Sequence, residues 1–479
     1  MKYFDHKTAV CLLLAAAVTL PSASCSSEQD TPDSGAITEE YNETADAPAV
    51  YTPEHYASIL PDEYFYVNTD LPQVVIETDG RISGRRYTSA SAAVISFVDG
   101  EVRVIEADDA EVKIRGNTSS DTPKQQLAVR FQSKLPLLGM DSGRRWVLNG
   151  SVFDKSLMRS KLVCDISAQL RLPYASRGEY CELWLNGEYR GSYLLMEPVT
   201  DGKGRVDIDI ENGDFLLECC VNRTEPGVTY FTSPIFGIRF ELDKPESTDN
   251  DGMGWLDSFF TGFETALNSL DHEKYSEYID IDSFVDFYIL NELFKDIDFG
   301  EFSTRYFIKD GVLYAGPPWD FDLSMGNVSY AEFKYLEYHN DVTEDGRELH
   351  DMEGDSAEGF WCRTGWYKKL FEDEYFRDLV TARYDELQPL IKSIYEGDGN
   401  LIDLYKERYG ASFARNFEIW KVSEPYGVYE NQTPKATLDS NIGVLRRWLT
   451  RRNEWLSAHM ADPDVTPALH LLRPEYQPH

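Results

Sequence analysis

The segment from Asn291 to Asn327 constrains the fold most strongly, because acidic residues there follow consecutive elements of regular structure. On its N-terminal side, apolar residues recur at helical spacing from Phe284 to Ile297, which predicts a buried helix that ends just before Asp298. Further along, two short apolar runs, residues 306–308 and 312–314, flank a Lys-Asp-Gly turn. This arrangement predicts a β-hairpin. Asp320 follows that hairpin directly after a pair of prolines. The sequence therefore predicts a helix, an acidic loop, a hairpin and a second acidic loop.

Asp298 and Asp320 are thus expected about one hairpin apart. Protein kinases hold a catalytic aspartate and a magnesium-binding aspartate in this way. Phosphoryl transfer needs both, because one carboxylate orients the attacking hydroxyl while hard oxygen ligands hold the metal that neutralises the phosphates. The alternative is that acidic residues beside turns are simply solvated, which accounts for most of the 83 aspartates and glutamates of this chain.

Three basic residues near the first predicted strands are candidates for binding phosphate. Arg115 precedes a glycine turn, which either presents backbone N–H groups to an anion or simply ends a strand. In the strand Leu127–Phe131, alternation places Arg130 on the face opposite the apolar side chains, so that it points into a cleft or into water. Lys124 stands just before this strand.

A second tight hairpin is predicted at Asn186-Gly187, because both residue types adopt the positive φ that such a turn requires. The strand after it ends in an extended exit, since Pro198 biases the residue before it away from helix. In a kinase-like fold the backbone at such an exit reads adenine, which makes Glu197 and Val199 hinge candidates. An ordinary loop is the alternative.

Four blocks of the chain together resemble the CotH kinase family, the spore-coat protein H-like proteins; they are residues 112–131, 146–170, 181–199 and 291–327. The resemblance implies an α+β, atypical protein-kinase-like fold of two lobes, with a β-rich first lobe and a mostly helical second lobe. It implies that Asp298 is catalytic and that Asp320 binds magnesium. Asp322 is then a candidate ligand for a second ion, and Ser303 stands where kinases carry an asparagine metal ligand.

The basic strand departs from the family pattern. Members usually carry a Lys-Lys-Pro-Tyr-like run, whereas this chain reads Lys124-Gln125-Gln126-Leu127. The residue that holds the nucleotide phosphates is therefore open between Lys124 and Arg130, and the two are not equivalent, because arginine binds phosphate bidentately. The resemblance also implies that Arg159, at a helix entry beside Asp154, belongs to the nucleotide site together with Arg115.

Residues 1–24 are predicted to be an export signal, because two lysines precede an apolar run and small residues follow it. Small residues directly before Cys25 resemble a bacterial lipoprotein box, in which Cys25 is acylated, and Ser26 to Asp30 resembles the acidic surface-export signal of Bacteroidetes-type lipoproteins. Ordinary cleavage to a soluble protein is the alternative. Residues 25–70 are rich in Ser, Asp, Glu, Thr and Pro, which predicts a flexible acidic tether. We therefore expect an exported lipoprotein, anchored to the outer membrane or cell surface.

The rest of the chain is expected to form the β-rich first lobe (71–200), the helical second lobe (201–460) and a C-terminal tail (461–479). Apolar spacing predicts second-lobe helices at Trp255–Leu270, Phe371–Tyr395 and Leu438–His459. The net charge of −37 disfavours nucleic acid as a partner and favours a neutral or basic peptide substrate. The cysteines of the globular part are expected to be mostly core residues.

These expectations combine into a phosphotransferase that uses ATP and Mg²⁺ and acts on a Ser, Thr or similar hydroxyl of a protein or other substrate. ATP is scarce outside the cytoplasm, so an exported enzyme either uses another donor or acts where ATP is supplied. Two alternatives remain open. One is a non-catalytic surface binding protein or adhesin on the same fold, and the other is a glycoside hydrolase in which Asp320 and a second carboxylate act as acid and base.

Overall fold

The computed structural model describes residues 49–51, 71–84, 86–98, 101–116, 118–221, 225, 227–328, 356–426 and 434–463. These residues belong to one compact unit that starts at Ala45. The predicted export signal, Cys25, nearly all of the predicted tether and most of the predicted tail lie outside the described residues. No helix among the described residues is long and apolar enough to cross a bilayer.

The first half of the described chain forms a closed seven-stranded β-barrel. The strands are β1 (Ala49–Tyr51), β2 (Gln73–Thr78), β3 (Thr88–Val98), β4 (Glu101–Arg115), β5 (Gln126–Leu135), β6 (Gly143–Asn149), β7 (Gly178–Leu185) and β8 (Glu188–Met196). The ring runs β4-β3-β2-β7-β8-β6-β5 and closes from β5 back to β4, while β1 pairs with β4 outside the ring. The β2–β7 pair is parallel and the other pairs are antiparallel.

Because successive side chains of a strand point to opposite faces of the sheet, the apolar side chains of these strands fill the inside of the barrel. Leu127, Val129 and Phe131 of β5 are buried inside, as predicted, and Arg130 lies on the outer face. The predicted turn between β7 and β8 is also confirmed, because Asn186 and Gly187 have φ of 52° and 75°. Barrel closure removes free sheet edges, since the β4–β5 pairing completes the ring.

A second, antiparallel sheet follows the barrel in sequence. Its strands are β9 (Phe215–Cys219), β10 (Tyr230–Thr232), β11 (Arg239–Lys244), β12 (Arg305–Lys309) and β13 (Val312–Ala315), in the spatial order β10-β11-β9-β12-β13. The β12–β13 hairpin is the one predicted from sequence, and its turn residues Asp310 and Gly311 have φ of 51° and 76°.

The helices lie mainly in the C-terminal half. They are α1 (Arg159–Ser167), α2 (Asn250–Asn268), α3 (His272–Tyr275), α4 (Ile281–Phe294), α5 (Gly365–Leu370), α6 (Glu374–Glu386), α7 (Gln388–Lys392), α8 (Leu401–Ile419) and α9 (Leu438–His459). The prediction for Leu438–His459 is confirmed. The predicted helix Phe371–Tyr395 is instead two helices, because Pro389 occupies the first turn of α7 and starts a new helix there.

The main core lies between the outer face of the barrel and the helices. Val147, Leu194 and Met196, on β6 and β8, belong to the same buried cluster as α1, the second sheet and α4. Helix α4 contacts β13, α6 and α9, so it is buried on all sides. The α+β class is confirmed, since strands dominate the first half of the described residues and helices the second. The described cysteines are buried: Cys164, Cys181, Cys219, Cys220 and Cys362.

Candidate active site

The first acidic loop, residues 295–304, begins where α4 ends. Helix α4 starts at a cap in which Asp280 accepts a 2.8 Å hydrogen bond from the Ser283 N–H, and it ends at Phe294. Lys295 turns the chain with φ of 49°, and its buried ammonium donates to the Ser356 and Glu358 carbonyls, both at 2.9 Å. The loop therefore leaves the helix in a direction set by neighbouring backbone.

This loop carries two aspartates of different exposure. Asp296 is buried, and its Oδ1 accepts a hydrogen bond from the Asp298 N–H at 3.2 Å. Asp298 is half-buried, and its carbonyl accepts from the Glu301 and Phe302 N–H groups at 2.9 Å. Burial, reinforced by the charges of Asp298 and Asp320, holds the pKa of Asp296 well above its usual range. The two acidic loops therefore share one electrostatic environment.

The second acidic loop, residues 316–328, follows β13. Asp320 is exposed and has φ of 68°, a left-handed conformation that is uncommon outside glycine and often marks functional positions. Ser303 of the first loop donates from its Oγ to Asp320 Oδ2 at 3.4 Å. The structure thus brings together Asp320 and Ser303, two of the metal-ligand candidates.

Asp322 lies behind Asp320 and is buried. Its Oδ1 accepts a 2.7 Å hydrogen bond from Ser160 Oγ of α1, and Asn149 Nδ2 of β6 donates to that hydroxyl at 3.3 Å. Burial and the charge of Asp320 raise the pKa of Asp322 to about 7. Because burial disfavours its charged form, the Asp322 carboxylate would be stabilised by a nearby cation.

Arg159 ties the second acidic loop to α1. Its buried guanidinium donates to the Ser324 carbonyl at 3.0 Å and the Met325 carbonyl at 3.1 Å, and it forms an ion pair with Asp154. Asp154 also accepts from the Arg159 N–H at 2.8 Å, at the start of the helix. Arg159 therefore binds protein carbonyls and holds the loop that carries Asp320.

Between the barrel and the second acidic loop lies a small cleft. It is lined by Arg115, Gln126, Asn149, Ser160, Val163, Cys164, Ser167, Ser176, Met196, Pro318, Trp319, Asp320 and Phe321. The space in it that water-sized molecules can reach is about 20 Å³, so the cleft is narrow.

Arg115 is the candidate phosphate ligand that lines this cleft. Its guanidinium lies 5.1 Å from the centre of the Trp319 ring, and its Nη1 donates to Gln126 Oε1 at 3.4 Å. Burial lowers the pKa of Arg115, and the opposite charge of Asp320 partly offsets that effect. The turn after it includes Gly116, with φ of 94°, whereas Asn117 lies outside the described residues.

The other basic candidates lie outside the cleft lining. Lys124 is buried, donates to the Ser192 carbonyl at 2.7 Å and lies 4.8 Å from the Tyr193 ring centre. Burial, followed by the like charge of Lys155, lowers the pKa of Lys124 to about 7. Arg130 lies on the outer barrel face, where its Nε donates to Glu111 at 2.7 Å.

The hinge candidates lie just beyond the cleft, after its lining residue Met196. The buried Glu197 carboxylate forms ion pairs with Arg177 at 2.8 Å and Arg205 at 2.9 Å. Its backbone N–H donates to the Arg177 carbonyl at 2.9 Å. Val199 is half-buried against the core.

Several residues of this region were not predicted from the sequence as site residues: Asp296, Gln126, Asn149, Ser160 and Trp319. Asp296 stands two positions before Asp298, so the doubled acid in Lys-Asp-Ile-Asp was an available signal. Ser160 and Asn149 gave no signal, because their roles arise only when α1 and β6 meet the second acidic loop. In the part of the chain that the structure describes, no three His, Cys, Asp or Glu side chains cluster as a ready-made metal site.

Comparison with known protein families places a match over residues 112–456, to the family model described as CotH kinase protein. The matched range includes both acidic loops, α1 and most of the barrel strands around Arg115. No curated protein matches the chain.

Proposed function

This chain belongs to the CotH kinase protein family, and from that premise we propose that it is an atypical kinase that transfers the γ-phosphate of ATP to a Ser, Thr or similar hydroxyl. The main support for this proposal is that the two acidic loops meet beside the cleft that Arg115 lines. There, Ser303 Oγ donates to Asp320 Oδ2 at 3.4 Å. In this proposal the barrel takes the place of the first kinase lobe.

The oxygen ligands present suit magnesium. Asp320, Asp322 and Ser303 supply hard oxygen atoms, and the raised pKa of Asp322 reflects a buried charge that a cation would stabilise. Magnesium usually keeps water and substrate phosphates in its shell and takes only one or two carboxylates from the protein, so a ready-made cage of acidic residues is not required. When bound, the ion would neutralise charge on the phosphates.

The remaining roles follow from placement around the cleft. Arg115 faces Asp320 and supplies a fixed cation for phosphate oxygens. We propose that the purine ring packs against Val163, Cys164 and Met196, the apolar part of the cleft lining. Asp298, half-buried in the neighbouring loop, is proposed to orient the acceptor hydroxyl and to take its proton.

The test separates the two aspartates. Asp320→Asn should abolish the Mg²⁺-dependent part of ATP affinity and with it transfer, since it removes a metal ligand. Asp298→Asn should keep Mg²⁺–ATP affinity within a few-fold and lower the transfer rate by roughly 10²–10⁴. Calorimetry with ATP and Mg²⁺, beside a radiolabel transfer assay, measures both.

Asp310→Asn is the matched control, because Asp310 has a similar left-handed conformation, with φ of 51°, in the β12–β13 turn. It should behave as the wild type in both assays. If the wild type binds no nucleotide at millimolar concentration, the kinase proposal fails and a non-catalytic binding protein on this scaffold becomes the better description.

We also propose that the protein is exported and anchored through an acylated Cys25, which would place the kinase domain at the outer membrane or cell surface. Support comes from the sequence alone, in the apolar run and small residues before Cys25. Cys25→Ala should move the protein from the membrane fraction to the soluble fraction, because lipid chains would supply its membrane affinity. A variant that still sediments with membranes, beside a wild type without an acylated N-terminus, would contradict the anchor.

A further inference from the structure

The outer face of the barrel carries a row of cations that leads to the cleft. We call Lys113, Arg115, Arg130 and Arg145 the basic stripe. Strand pairing aligns Arg130 of β5 with Arg145 of β6, and Arg115 of β4 with Gln126 of β5. Lys113 lies between these two rows, because residues two apart on a strand share a face. Arg115 is the end of the stripe that lines the cleft.

The stripe concentrates positive charge. Burial lowers the pKa of Lys113, and the like charges of Arg115, Arg145 and Arg130 lower it further. The Tyr87 ring centre lies 4.9 Å from the Lys113 ammonium and 4.5 Å from the Arg130 guanidinium. Two carboxylates lie at the stripe: Glu111 pairs with Arg130 at 2.6 Å, and Asp320 faces the Arg115 end. This face is therefore cationic in a chain whose net charge is −37.

We propose that the basic stripe is a docking surface for an acidic peptide segment of the acceptor substrate, which it guides toward the Arg115 end of the cleft. The inference rests on the proposed kinase function, because it names the substrate class of that same site. It reverses the expectation from net charge alone, since a local surface of one sign decides what binds there.

The size of the stripe favours a peptide over a nucleic acid. From Arg130 to the row of Arg115 and Gln126 is two steps along the sheet, roughly 13 Å, which matches about four extended residues. A longer polyanion would extend past the stripe and meet the repulsion of the acidic remainder of the chain. The half-buried Tyr87 and Lys113 side chains also suit contact with a short segment.

Binding can be tested without turnover. Fluorescence anisotropy at low salt would follow a labelled peptide of alternating Glu and Ser, with a Lys-Ser peptide of equal length as the comparison. For the full chain, Lys113→Gln/Arg130→Gln should weaken the acidic peptide roughly tenfold, the sum expected for two partly exposed ion pairs. The acidic peptide should bind the wild type more tightly than the basic one.

The matched control is Lys406→Gln/Arg451→Gln. It removes the same two charges from α8 and α9, where these cations face Asp439 at 3.0 Å and Glu358 at 4.0 Å. This variant should bind the acidic peptide within about twofold of the wild type. If the stripe variant does not fold, Lys113→Gln alone keeps the Arg130–Glu111 pair and should still weaken binding roughly threefold.

Parallel calorimetry with Mg²⁺–ATP separates this inference from the proposed function. If the wild type binds no nucleotide, the kinase proposal fails, and with it the role of the peptide as acceptor. The anisotropy measurements still test whether the basic stripe binds an acidic peptide. The stripe variant should keep its ATP affinity, and a loss would assign the stripe to nucleotide phosphates instead. The inference is overturned if the basic peptide binds as well, if both double variants lose equal affinity, or if an oligonucleotide of equal charge binds more tightly.

Discussion

The two acidic loops are alike in composition and different in how they are held. Each pairs a buried aspartate with a more accessible one, Asp296 with Asp298 and Asp322 with Asp320. In each, burial raises the pKa of the buried carboxyl. The first acidic loop is anchored to parts of the chain that follow the barrel in sequence, through Lys295 and through β9, where the Cys219 N–H donates to the Thr304 carbonyl at 2.8 Å.

The second acidic loop is anchored instead to residues that precede it by more than 150 positions. Ser160 donates to Asp322, Arg159 donates to two loop carbonyls, and Asn327 donates to the Phe153 carbonyl at 3.0 Å. The proposed metal position therefore depends on how α1 and the barrel meet the C-terminal half. The proposed acceptor position depends on contacts among segments that all follow the barrel in sequence.

The largest effect should come from cutting the anchor of the second acidic loop. Arg159→Met leaves Asp154 buried without its cation, so we expect a loss of about 3–5 kcal/mol in the free energy of unfolding, with loss of Mg²⁺–ATP affinity. Urea unfolding and calorimetry measure these. Arg171→Met, at exposed ion pairs with Asp282 and Glu386, is the control and should cost about 1 kcal/mol.

Because Arg159→Met risks unfolding, Arg159→Lys gives a milder comparison. It keeps a charge near Asp154 but loses the fork that spans the two loop carbonyls. If this folded variant binds Mg²⁺–ATP as tightly as the wild type, the anchor does not set the metal position.

Cutting the anchor of the first acidic loop should have a smaller and different effect. Lys295→Met leaves the Ser356 and Glu358 carbonyls without this donor, but Ser356 is half-buried and Glu358 is exposed, so water can replace it and we expect a loss of about 1–3 kcal/mol in total in the free energy of unfolding. We expect a lower transfer rate with Mg²⁺–ATP affinity within a few-fold of wild type. Equal losses of nucleotide affinity in the Lys295 and Arg159 variants would remove the distinction between the loops.

A further, pH-dependent effect concerns Lys124, whose pKa is lowered to about 7 by burial. Its unfolded pKa is ~10.4, so between these values the folded protein binds fewer protons than the unfolded chain. Stability should therefore rise with pH from about 7 to about 10 by at most ~1.4 kcal/mol per unit, and this contribution should be lost as pH falls through 7. Lys124→Met should remove that slope, measured by urea unfolding at pH 7 and pH 9.

Arg130→Gln is the control and should keep the slope. Neither variant should change Mg²⁺–ATP affinity more than a few-fold, because neither side chain lines the cleft. A loss of nucleotide affinity in Lys124→Met alone would return Lys124 to the phosphate site.

Local elements could be predicted from the sequence because local rules specify them. The apolar spacing before Asp298 predicted α4, and the two tight turns, at Asn186-Gly187 and Asp310-Gly311, predicted both hairpins through their need for positive φ. The family resemblance likewise rested on local motifs, and the match over residues 112–456 confirms it.

Only the tertiary structure decided which segments far apart in the chain contact each other. Barrel closure depends on the parallel β2–β7 pair and on the β4–β5 pair, and no periodicity within one strand specifies its partner. The burial of Lys124, the hydrogen bond from Ser160 to Asp322 and the exposure of Arg130 arise in the same way. A side chain's chemistry is written in the sequence, but its pKa, its partner and its access to solvent are set by what packs against it.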